Sequence, residues 1–149
     1  MSRPANTSEL LRAHNIRPSL QRIAVMDYLL THRTHPTADE IYGALAPHIP
    51  TLSKTTVYNT LALLVEHGAA AHITIDPRES RFDGDTSPHG HFLCTACGTL
   101  YDVFFDPQPQ LPLPPGGHAV ASTQIYYRGT CAQCCKRQTE RQTKNSNHQ

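Results

Sequence analysis

Two C-x-x-C pairs constrain the fold of this 149-residue chain more than any other feature of its sequence. Cys94 and Cys97 form the first pair, and Cys131 and Cys134 form the second. A short turn between two cysteines directs both thiolates to one point, so two pairs complete the tetrahedral tetrathiolate that is typical of structural zinc. Such a site has no open coordination position, and we therefore expect it to stabilise the fold.

A redox dithiol and an iron–sulfur cluster are the alternatives for these cysteines. A thioredoxin-like C-x-x-C opens a helix after a strand, whereas Cys94 and Cys97 lie between two segments that we predict to be strands. An iron–sulfur cluster needs the same ligands, but the two-pair layout is more typical of zinc. The fifth cysteine, Cys135, could replace Cys134 as a ligand or could be a free thiol.

The odd number of cysteines also argues against a secreted disulfide scaffold. No apolar run approaches the length of a membrane span, and the N-terminus lacks the apolar stretch of a secretory signal. We therefore expect a cytoplasmic protein with no membrane partner.

The first 22 residues form a local basic patch although the net charge of the chain is only +1. They contain Arg3, Arg12, Arg17 and Arg22, against the single acidic residue Glu9. Such a patch can contact phosphates, although a solvated surface without a partner explains the charge equally well.

Residues 1–83 have the periodicity of several helices followed by a short hairpin. Thr37 and Glu40 form a capping box ahead of one helix, and Ser53 can cap the next helix, which Gly68 ends. The segments "AHITID" and "SRFD" then flank the turn "PRE" as an antiparallel hairpin. Helices followed by such a ribbon are typical of a winged helix-turn-helix domain.

In that domain the helix after Ser53 would enter the DNA major groove. Its leading residues are the polar and aromatic types that contact phosphates and base edges. The alternative is a plain helical bundle whose capped helix shows a polar face. Together with one arginine of the basic patch, the predicted DNA-binding residues are Arg17, Ser53, Lys54, Thr55, Thr56, Tyr58 and Asn59.

A hinge is predicted over residues 84–88, and a second, small domain over residues 89–136. Two short strands flank its first C-x-x-C, a proline-rich irregular connection covers 107–117, and "AVASTQIYYRGTC" is a further strand. Residues 137–149 are polar and are expected to be disordered. The expected fold class is α+β, a winged helix-turn-helix domain followed by a small α/β domain with a zinc knuckle pair.

His89 and His91 suggest a second metal site, because alternate side chains of an extended segment point to the same side. Asp83 and Asp102 lie near them in the sequence. Histidine and carboxylate without sulfur suit Fe(II), Mn(II) or Zn(II). The alternative is that these residues are surface histidines and turn carboxylates that bind no metal.

Several motifs together resemble the ferric uptake regulator (Fur) family of metal-responsive repressors. In chain order they are "RPSLQRIAVMDYL", "HPTADEIY", "SKTTVYNTLALLVEHG", "SRFD", "HGHFLCTACGTLYDV" and "GTCAQC". The resemblance implies a homodimeric repressor that binds an inverted-repeat operator in double-stranded DNA. It also implies that the second domain is the dimerisation domain, supported by the zinc of the four paired cysteines.

The resemblance further implies a regulatory metal site. Matched residue by residue, the ligands of the family fall on His35, Asp83, His89, His91 and Asp102. A metal bound by both domains would select the dimer shape whose two helices fit the DNA, so that loss of the metal releases the operator.

Aspartate at positions 83 and 102 is the pattern of the peroxide-sensing (PerR-like) members of the family, whereas iron-sensing members commonly have glutamate. In that group bound Fe(II) reacts with peroxide, and the oxidation-sensitive residues would be His35 and His89. The predicted function is therefore a repressor with structural Zn²⁺ and a regulatory Fe²⁺ or Mn²⁺ that senses peroxide.

Three alternatives remain for the function. A repressor of the same family could sense the availability of iron or zinc instead. A zinc-ribbon module could contact only protein. A metal-dependent enzyme is the remote alternative, because no HExxH-type motif or separate catalytic base is evident; we expect no enzymatic activity.

Two features depart from the family pattern. Pro88 and Gly90 stand where many iron sensors have a histidine-rich run, so we expect the additional metal site of those proteins to be absent. The proline-rich segment cannot form the regular helix that the dimerisation domain usually has between its second and third strands.

Overall fold

The computed structural model describes residues 6–146, so that Arg3 of the basic patch and the last three residues of the predicted tail lie outside it. The chain divides into two compact units between Ser87 and Pro88, at a point inside the predicted hinge. Within residues 6–146, no helix combines the length and the apolar character that crossing a membrane requires.

The described part of unit 1, residues 6–87, contains four helices and a two-stranded sheet. Its elements are α1 (Thr7–Ala13), α2 (Leu20–Thr31), α3 (Ala38–Leu45), α4 (Lys54–Glu66), β1 (Ala71–Ile73) and β2 (Arg81–Asp83). The predicted caps are confirmed, since the hydroxyls of Thr37 and Ser53 accept backbone N–H groups of α3 and α4 at 3.2 and 3.1 Å. Gly68 follows α4 with a φ of 76°, as a residue that ends a helix often does.

The core of unit 1 lies between its helices. Val57, Leu61 and Leu64 of α4 are fully buried and pack with apolar residues of the other helices, such as Leu11 and Ile41. The spacing of the three α4 residues, four and then three, places them on one helix face. The opposite face of α4 is therefore exposed to solvent.

The predicted hairpin is confirmed, but its strands are shorter and its connection longer than the sequence suggests. β1 and β2 pair antiparallel, with Ala71 opposite Asp83 and Ile73 opposite Arg81. The expected turn "PRE" is only part of the connection over residues 74–80. The ladder stops early because the buried carboxylate of Asp76 turns back to accept the backbone N–H of its own connection.

Unit 2, as far as it is described (residues 88–146), contains a three-stranded sheet and one helix. Its elements are β3 (Gly90–Cys94), β4 (Leu100–Val103), β5 (Tyr126–Gly129) and α5 (Ala132–Ser146). β3 is the central strand, antiparallel to β4 and parallel to β5. The α+β fold class is thereby confirmed, with the first C-x-x-C in the turn between β3 and β4.

The connection between β4 and β5 contains neither helix nor strand over residues 104–125, in agreement with its prolines. The strand predicted from "AVASTQIYYRGTC" is confirmed only for Tyr126–Gly129. The prediction is wrong for residues 119–125, which form no strand, although the carbonyl of Ile125 still accepts the backbone N–H of His91 at 3.0 Å.

The prediction of a disordered tail from residue 137 is wrong as far as Ser146, because α5 continues to that residue. The helix starts beside the second C-x-x-C, where the N–H of Cys135 already donates to the carbonyl of Cys131 at 2.8 Å. An anchored first turn removes the cost of nucleation, and the Lys, Arg, Gln and Glu residues that follow are good helix formers. Polar composition alone was therefore not a sufficient reason to predict disorder in this segment.

Candidate metal centres and nucleic-acid surface

The four predicted zinc ligands form one compact cluster in unit 2. The sulfurs of Cys94, Cys97, Cys131 and Cys134 all lie within 4.8 Å of one another. Two of these contacts are 3.8 Å between Cys94 and Cys134 and 3.9 Å between Cys97 and Cys131. Four sulfurs about 2.3 Å from a zinc ion form a tetrahedron with edges of about 3.8 Å. The donor set therefore fits tetrahedral zinc.

The structure also distinguishes the two adjacent cysteines at the start of α5. Cys134 is buried and lies in the cluster, whereas Cys135 is exposed. The Sγ of Cys135 instead approaches the carbonyl of Thr130 at 3.5 Å. Since successive residues of a helix face about 100° apart, only one of the two can face the cluster.

Backbone amides favour thiolate at the end of β3. The N–H groups of Cys131 and Cys97 donate to the Sγ of Cys94 at 3.3 and 3.4 Å, which lowers the pKa of Cys94 to about 6. The hydrogen bond with the side chain of Cys131, together with burial, raises the pKa of Cys134 to about 12. Four adjoining sulfurs thus retain a proton unless a cation neutralises them, and a divalent metal is such a cation.

Tyr101 of β4 supports the cluster although no sequence motif marks it. Its hydroxyl donates to the sulfur of Cys131, and this bond raises the pKa of Tyr101 to about 12. The backbone N–H of Cys134, followed by the Tyr101 hydroxyl, lowers the pKa of Cys131. Because Tyr101 pairs with Phe92 across the β3–β4 ladder, sheet register brings this hydroxyl to the cluster.

His35 and Asp83 are the part of the predicted regulatory set that belongs to unit 1. Asp83 ends β2, and His35 lies in the connection between α2 and α3. The Nε2 of His35 is 3.6 Å from the Oδ2 of Asp83, and both residues are buried. The backbone of His35 is left-handed, with a φ of 56°, a conformation that costs a non-glycine residue about 1–3 kcal/mol.

Two residues of β2 that the sequence analysis did not single out contact the same segment. The Nη1 of Arg81 donates to the carbonyl of His35 at 3.1 Å, and the N–H of Phe82 donates to the carbonyl of Pro36 at 3.0 Å. The Nη2 of Arg81 lies 3.6 Å from the Oδ2 of Asp76, whose side chain is 1% exposed. An ion pair with one fully buried partner, Asp76, therefore lies next to His35.

His89, His91 and Asp102 are the part of the set that belongs to unit 2. The Oδ1 of Asp102 is 3.2 Å from the Nε2 of His89 and 3.3 Å from the Nε2 of His91. His91 and Asp102 are partners in the β3–β4 ladder, and the two imidazoles lie side by side with ring centroids 4.6 Å apart. Their side chains are only 2% and 8% exposed, so they are not surface histidines.

These nitrogen and oxygen donors fit a harder metal than the cysteine cluster does. Imidazole and carboxylate without sulfur suit Fe(II), Mn(II) or Zn(II) with more than four ligands. Unit 1 supplies two such donors and unit 2 supplies three. Neither group alone provides the five ligands that the sequence analysis expects.

The predicted DNA-binding residues border the exposed face of α4. Its N-terminal turns carry Lys54, Thr55, Tyr58 and Asn59 as exposed side chains, with Thr56 partly buried behind them. Ser53 is exposed and caps the helix, and Arg17 is exposed ahead of α2. An open groove of about 560 Å³ between α2 and α4 is lined by residues that include Arg17, Arg22, Thr56 and Asn59.

One acidic residue, Asp39 in the first turn of α3, contacts two of these side chains. The hydroxyl of Tyr58 donates to the Oδ1 of Asp39 at 3.3 Å, and the Nζ of Lys54 lies 3.9 Å from the same oxygen. The negative charge of Asp39 raises the pKa of Tyr58, which keeps its hydroxyl a hydrogen-bond donor. Asp39 lies on α3, outside the α4 segment and the basic patch, so no sequence motif marks it as part of this surface.

Comparison with known proteins identifies the family. The sequence model of the ferric uptake regulator family matches residues 13–110. The peroxide operon regulator of Bacillus subtilis strain 168 is 36% identical over 133 residues, which cover 87% of this chain and 92% of that protein.

Two solved structures show the same fold. The ferric uptake regulator from Pseudomonas aeruginosa with manganese gives a TM-score of 0.66 at 16% identity, covering 85% of this chain and 98% of that one. The second is a structure of PerR from Streptococcus pyogenes, described as a basis for peroxide sensing and gene regulation. It gives a TM-score of 0.50 at 26% identity, covering 89% of this chain and 95% of that one. The fold is thus that of Fur and PerR regulators, and the chain belongs to the ferric uptake regulator family.

Proposed function

We propose that this chain is a metal-dependent transcriptional repressor that senses peroxide through metal-catalysed oxidation of His35 and His89. The observation that carries the proposal is the presence of two chemically different donor sets. One contains four sulfurs, and the other contains only buried imidazoles and carboxylates. The name of the B. subtilis relative, a peroxide operon regulator, supports the peroxide signal over a general response to metal supply.

In this proposal the cysteine cluster holds structural zinc. Cys94, Cys97, Cys131 and Cys134 fill all four positions of a tetrahedron, so no position remains for peroxide or another substrate. Their role is to join the end of β3 to the start of α5. This connection would support the domain through which two copies of the chain form a homodimer.

The regulatory ion is Fe(II) or Mn(II), held by His35 and Asp83 of unit 1 together with His89, His91 and Asp102 of unit 2. Bound Fe(II) would supply the electron-transfer chemistry that turns peroxide into an oxidant of imidazole, whereas Mn(II) would not. The short carboxylates of Asp83 and Asp102 reach less far than glutamates would, which favours an accessible coordination position. His35 or His89, once it carries an added oxygen atom, is a poor ligand and no longer ties its unit to the ion.

The DNA-binding surface is the exposed face of α4 with Arg17 beside it. Lys54 and Arg17 would contact phosphates, and Thr55, Tyr58 and Asn59 would approach base edges in the major groove. Ser53 and Thr56 would fix the start of α4. A homodimer presents this surface twice, which matches an inverted repeat in double-stranded DNA. A repressor of this kind acts in the cytoplasm, where its cysteines stay reduced.

Operator binding before and after peroxide tests the proposal. A binding site is first selected from random double-stranded DNA with the Mn(II)-loaded protein, and its affinity is then measured by fluorescence anisotropy. Both metal-loaded forms should bind the selected site, and peroxide should release only the Fe(II)-loaded form. The proposal is wrong if the Fe(II)-loaded form stays bound to both its metal and its DNA after peroxide.

The same experiment separates the alternatives. A repressor that senses metal supply would be activated equally by Fe(II) and Mn(II), and its histidines would gain no oxygen. A zinc module that contacts only protein would select no DNA sequence. An enzyme would turn over small esters or peroxides, which the proposed repressor should not do.

A further inference from the structure

We propose that Arg81 and Asp76 form a positioning pair that holds the backbone of His35 in the conformation required for metal binding. The inference rests on the proposed role of His35 as a regulatory ligand. It concerns residues that lie outside the ligand set, and all of its contacts lie within unit 1.

Three consecutive residues of β2 hold the His35–Pro36 dipeptide. The guanidinium of Arg81 donates to the carbonyl of His35, and the N–H of Phe82 donates to the carbonyl of Pro36. The carboxylate of Asp83 faces the imidazole of His35 at 3.6 Å. Because alternate residues of a strand share a face, Arg81 and Asp83 can reach the backbone and the side chain of one residue.

The bond from Arg81 acts on a residue whose conformation needs support. His35 has a φ of 56°, and the residue after it is a proline, which restricts the backbone of the residue before it. A peptide carbonyl turns together with the backbone angles on either side of it. Holding the His35 carbonyl therefore holds the direction in which its imidazole leaves the chain.

Asp76 in turn fixes the guanidinium of Arg81. Its carboxylate is 1% exposed, and it accepts the N–H of Arg78 at 3.0 Å while facing the Nη2 of Arg81 at 3.6 Å. The side chain of Arg81 is only 18% exposed, so most of it is shielded from water. The Nη2 of the guanidinium thus faces Asp76, with the exposed carboxylate of Glu79 also 3.9 Å away, and the Nη1 donates to His35.

Arg78 provides a matched control within the same group. It contacts the same carboxylate through its Nε at 3.3 Å, but its side chain is 73% exposed and donates to Asp76 rather than to the His35 segment. Arg78→Gln removes one positive charge beside Asp76, as Arg81→Gln does. Only the Arg81 substitution removes the bond to the carbonyl of His35.

The test compares Mn(II) affinity in wild-type protein, R81Q and R78Q, each loaded with zinc. Substitutions behind a metal ligand typically weaken binding by about 10- to 100-fold. We expect R81Q to weaken Mn(II) binding by about tenfold or more and R78Q to change it by less than about twofold. Thermal unfolding of the Mn(II)-free proteins reports whether R81Q still folds.

A second measurement separates positioning from a general structural role. Peptide mass spectrometry after peroxide treatment of the Fe(II)-loaded proteins gives the ratio of oxygen added at His35 to oxygen added at His89. A general loss of structure lowers the oxidation of both histidines, whereas misplacement of His35 alone lowers the ratio of His35 oxidation to His89 oxidation. We expect a lower ratio in R81Q and a wild-type ratio in R78Q.

R81K keeps the charge beside Asp76 but cannot span both partners with one planar fork, so it covers the case in which R81Q does not fold. Its affinity and oxidation ratio should both be lowered. The inference is overturned if the folded Arg81 variants match R78Q in both measurements while wild-type protein binds Mn(II) and oxidises His35. If wild-type protein itself neither binds Mn(II) nor oxidises His35, the proposed function fails and the inference falls with it.

Discussion

The cysteine cluster and the histidine–aspartate residues differ in how much of a site one unit of the chain completes. All four sulfurs belong to unit 2, two from the end of β3 and the turn after it, and two from the residue before α5 and its first turn. The nitrogen and oxygen donors are divided, with His35 and Asp83 in unit 1 and His89, His91 and Asp102 in unit 2.

This division indicates what each set is suited to do. A set that is complete within one unit stabilises that unit whatever the other unit does. In the proposed repressor, a set with donors from both units would couple metal binding to the arrangement of the units, as a regulatory ion requires. The softer sulfur ligands select zinc, and the harder set admits redox-active iron.

The largest effect should follow the loss of one sulfur ligand. Cys94→Ser removes the thiolate that accepts two backbone N–H groups, and zinc binding contributes about 10–16 kcal/mol in small structural sites. We expect zinc content to fall to near zero and the cooperative unfolding of unit 2 to be lost by circular dichroism. Cys135→Ser, beside the cluster, should keep its zinc and its cooperative unfolding. If this variant also loses zinc, the assignment of Cys134 as the fourth ligand is wrong.

A smaller effect is expected from losing a nitrogen ligand. His35→Asn removes the imidazole but keeps a residue type that tolerates left-handed backbone. We expect Mn(II) affinity, measured by isothermal titration calorimetry, to fall about 100-fold, with zinc content and melting temperature nearly unchanged. His32→Asn, an exposed histidine three residues earlier, should bind Mn(II) as wild-type protein does. Loss of zinc in the His35 variant would contradict the independence of the two sets.

The ion pair behind His35 gives a prediction about pH. Bonds from the backbone N–H and then the side chain of Arg78 hold the pKa of Asp76 below its ordinary value of 3.8. Because the folded-state pKa is the lower one, this stabilisation is complete above pH 3.8 and is lost as the pH falls through the folded-state pKa.

Asp76→Asn should therefore lower the free energy of unfolding of unit 1 at neutral pH by about 1–3 kcal/mol. The difference from wild type should narrow in acid, as chemical denaturation at a series of pH values would detect. A difference that is constant down to pH 3 would show that the carboxylate charge is not what stabilises this group. Asp39→Asn, an exposed carboxylate in the same unit, serves as the control.

The smallest effect concerns a residue in neither metal set. Lys54→Ala removes one exposed charge from α4, so DNA affinity should fall several-fold. The slope of log K against log salt should become less negative by about 1. Zinc and Mn(II) contents should stay as in wild type. Lys136→Ala, on exposed α5, is the control and should leave the salt slope unchanged. Equal slopes for the Lys54 variant and wild type would remove α4 from the DNA-binding surface.

The parts of this molecule that local chemistry dictates could be predicted from its sequence. Thr37 and Ser53 cap helices because their hydroxyls reach N–H groups three residues on, a distance that the spacing alone sets. The C-x-x-C pairs are equally local, and their joint cluster follows from the need to satisfy four sulfurs. His89 and His91 lie together because strand alternation places them on one side.

The parts that depend on tertiary contacts could not be predicted in this way. α5 is polar, and its anchoring at Cys134 became evident only with the cluster. Arg81 and Asp76 are charged residues of a hairpin, and nothing in the sequence distinguishes them from a pair exposed to solvent. Their burial beside His35 depends on a connection 46 residues away in the chain.

The central claim is that peroxide acts at the histidines and leaves the cysteines unchanged. Its most direct test is peptide mass spectrometry of the Fe(II)-loaded, zinc-loaded protein after stoichiometric peroxide, with zinc content measured on the same sample. We predict one added oxygen atom at His35 or His89, unmodified cysteines in the cluster and full retention of zinc. Oxidised cysteines with loss of zinc and unmodified histidines would contradict the account.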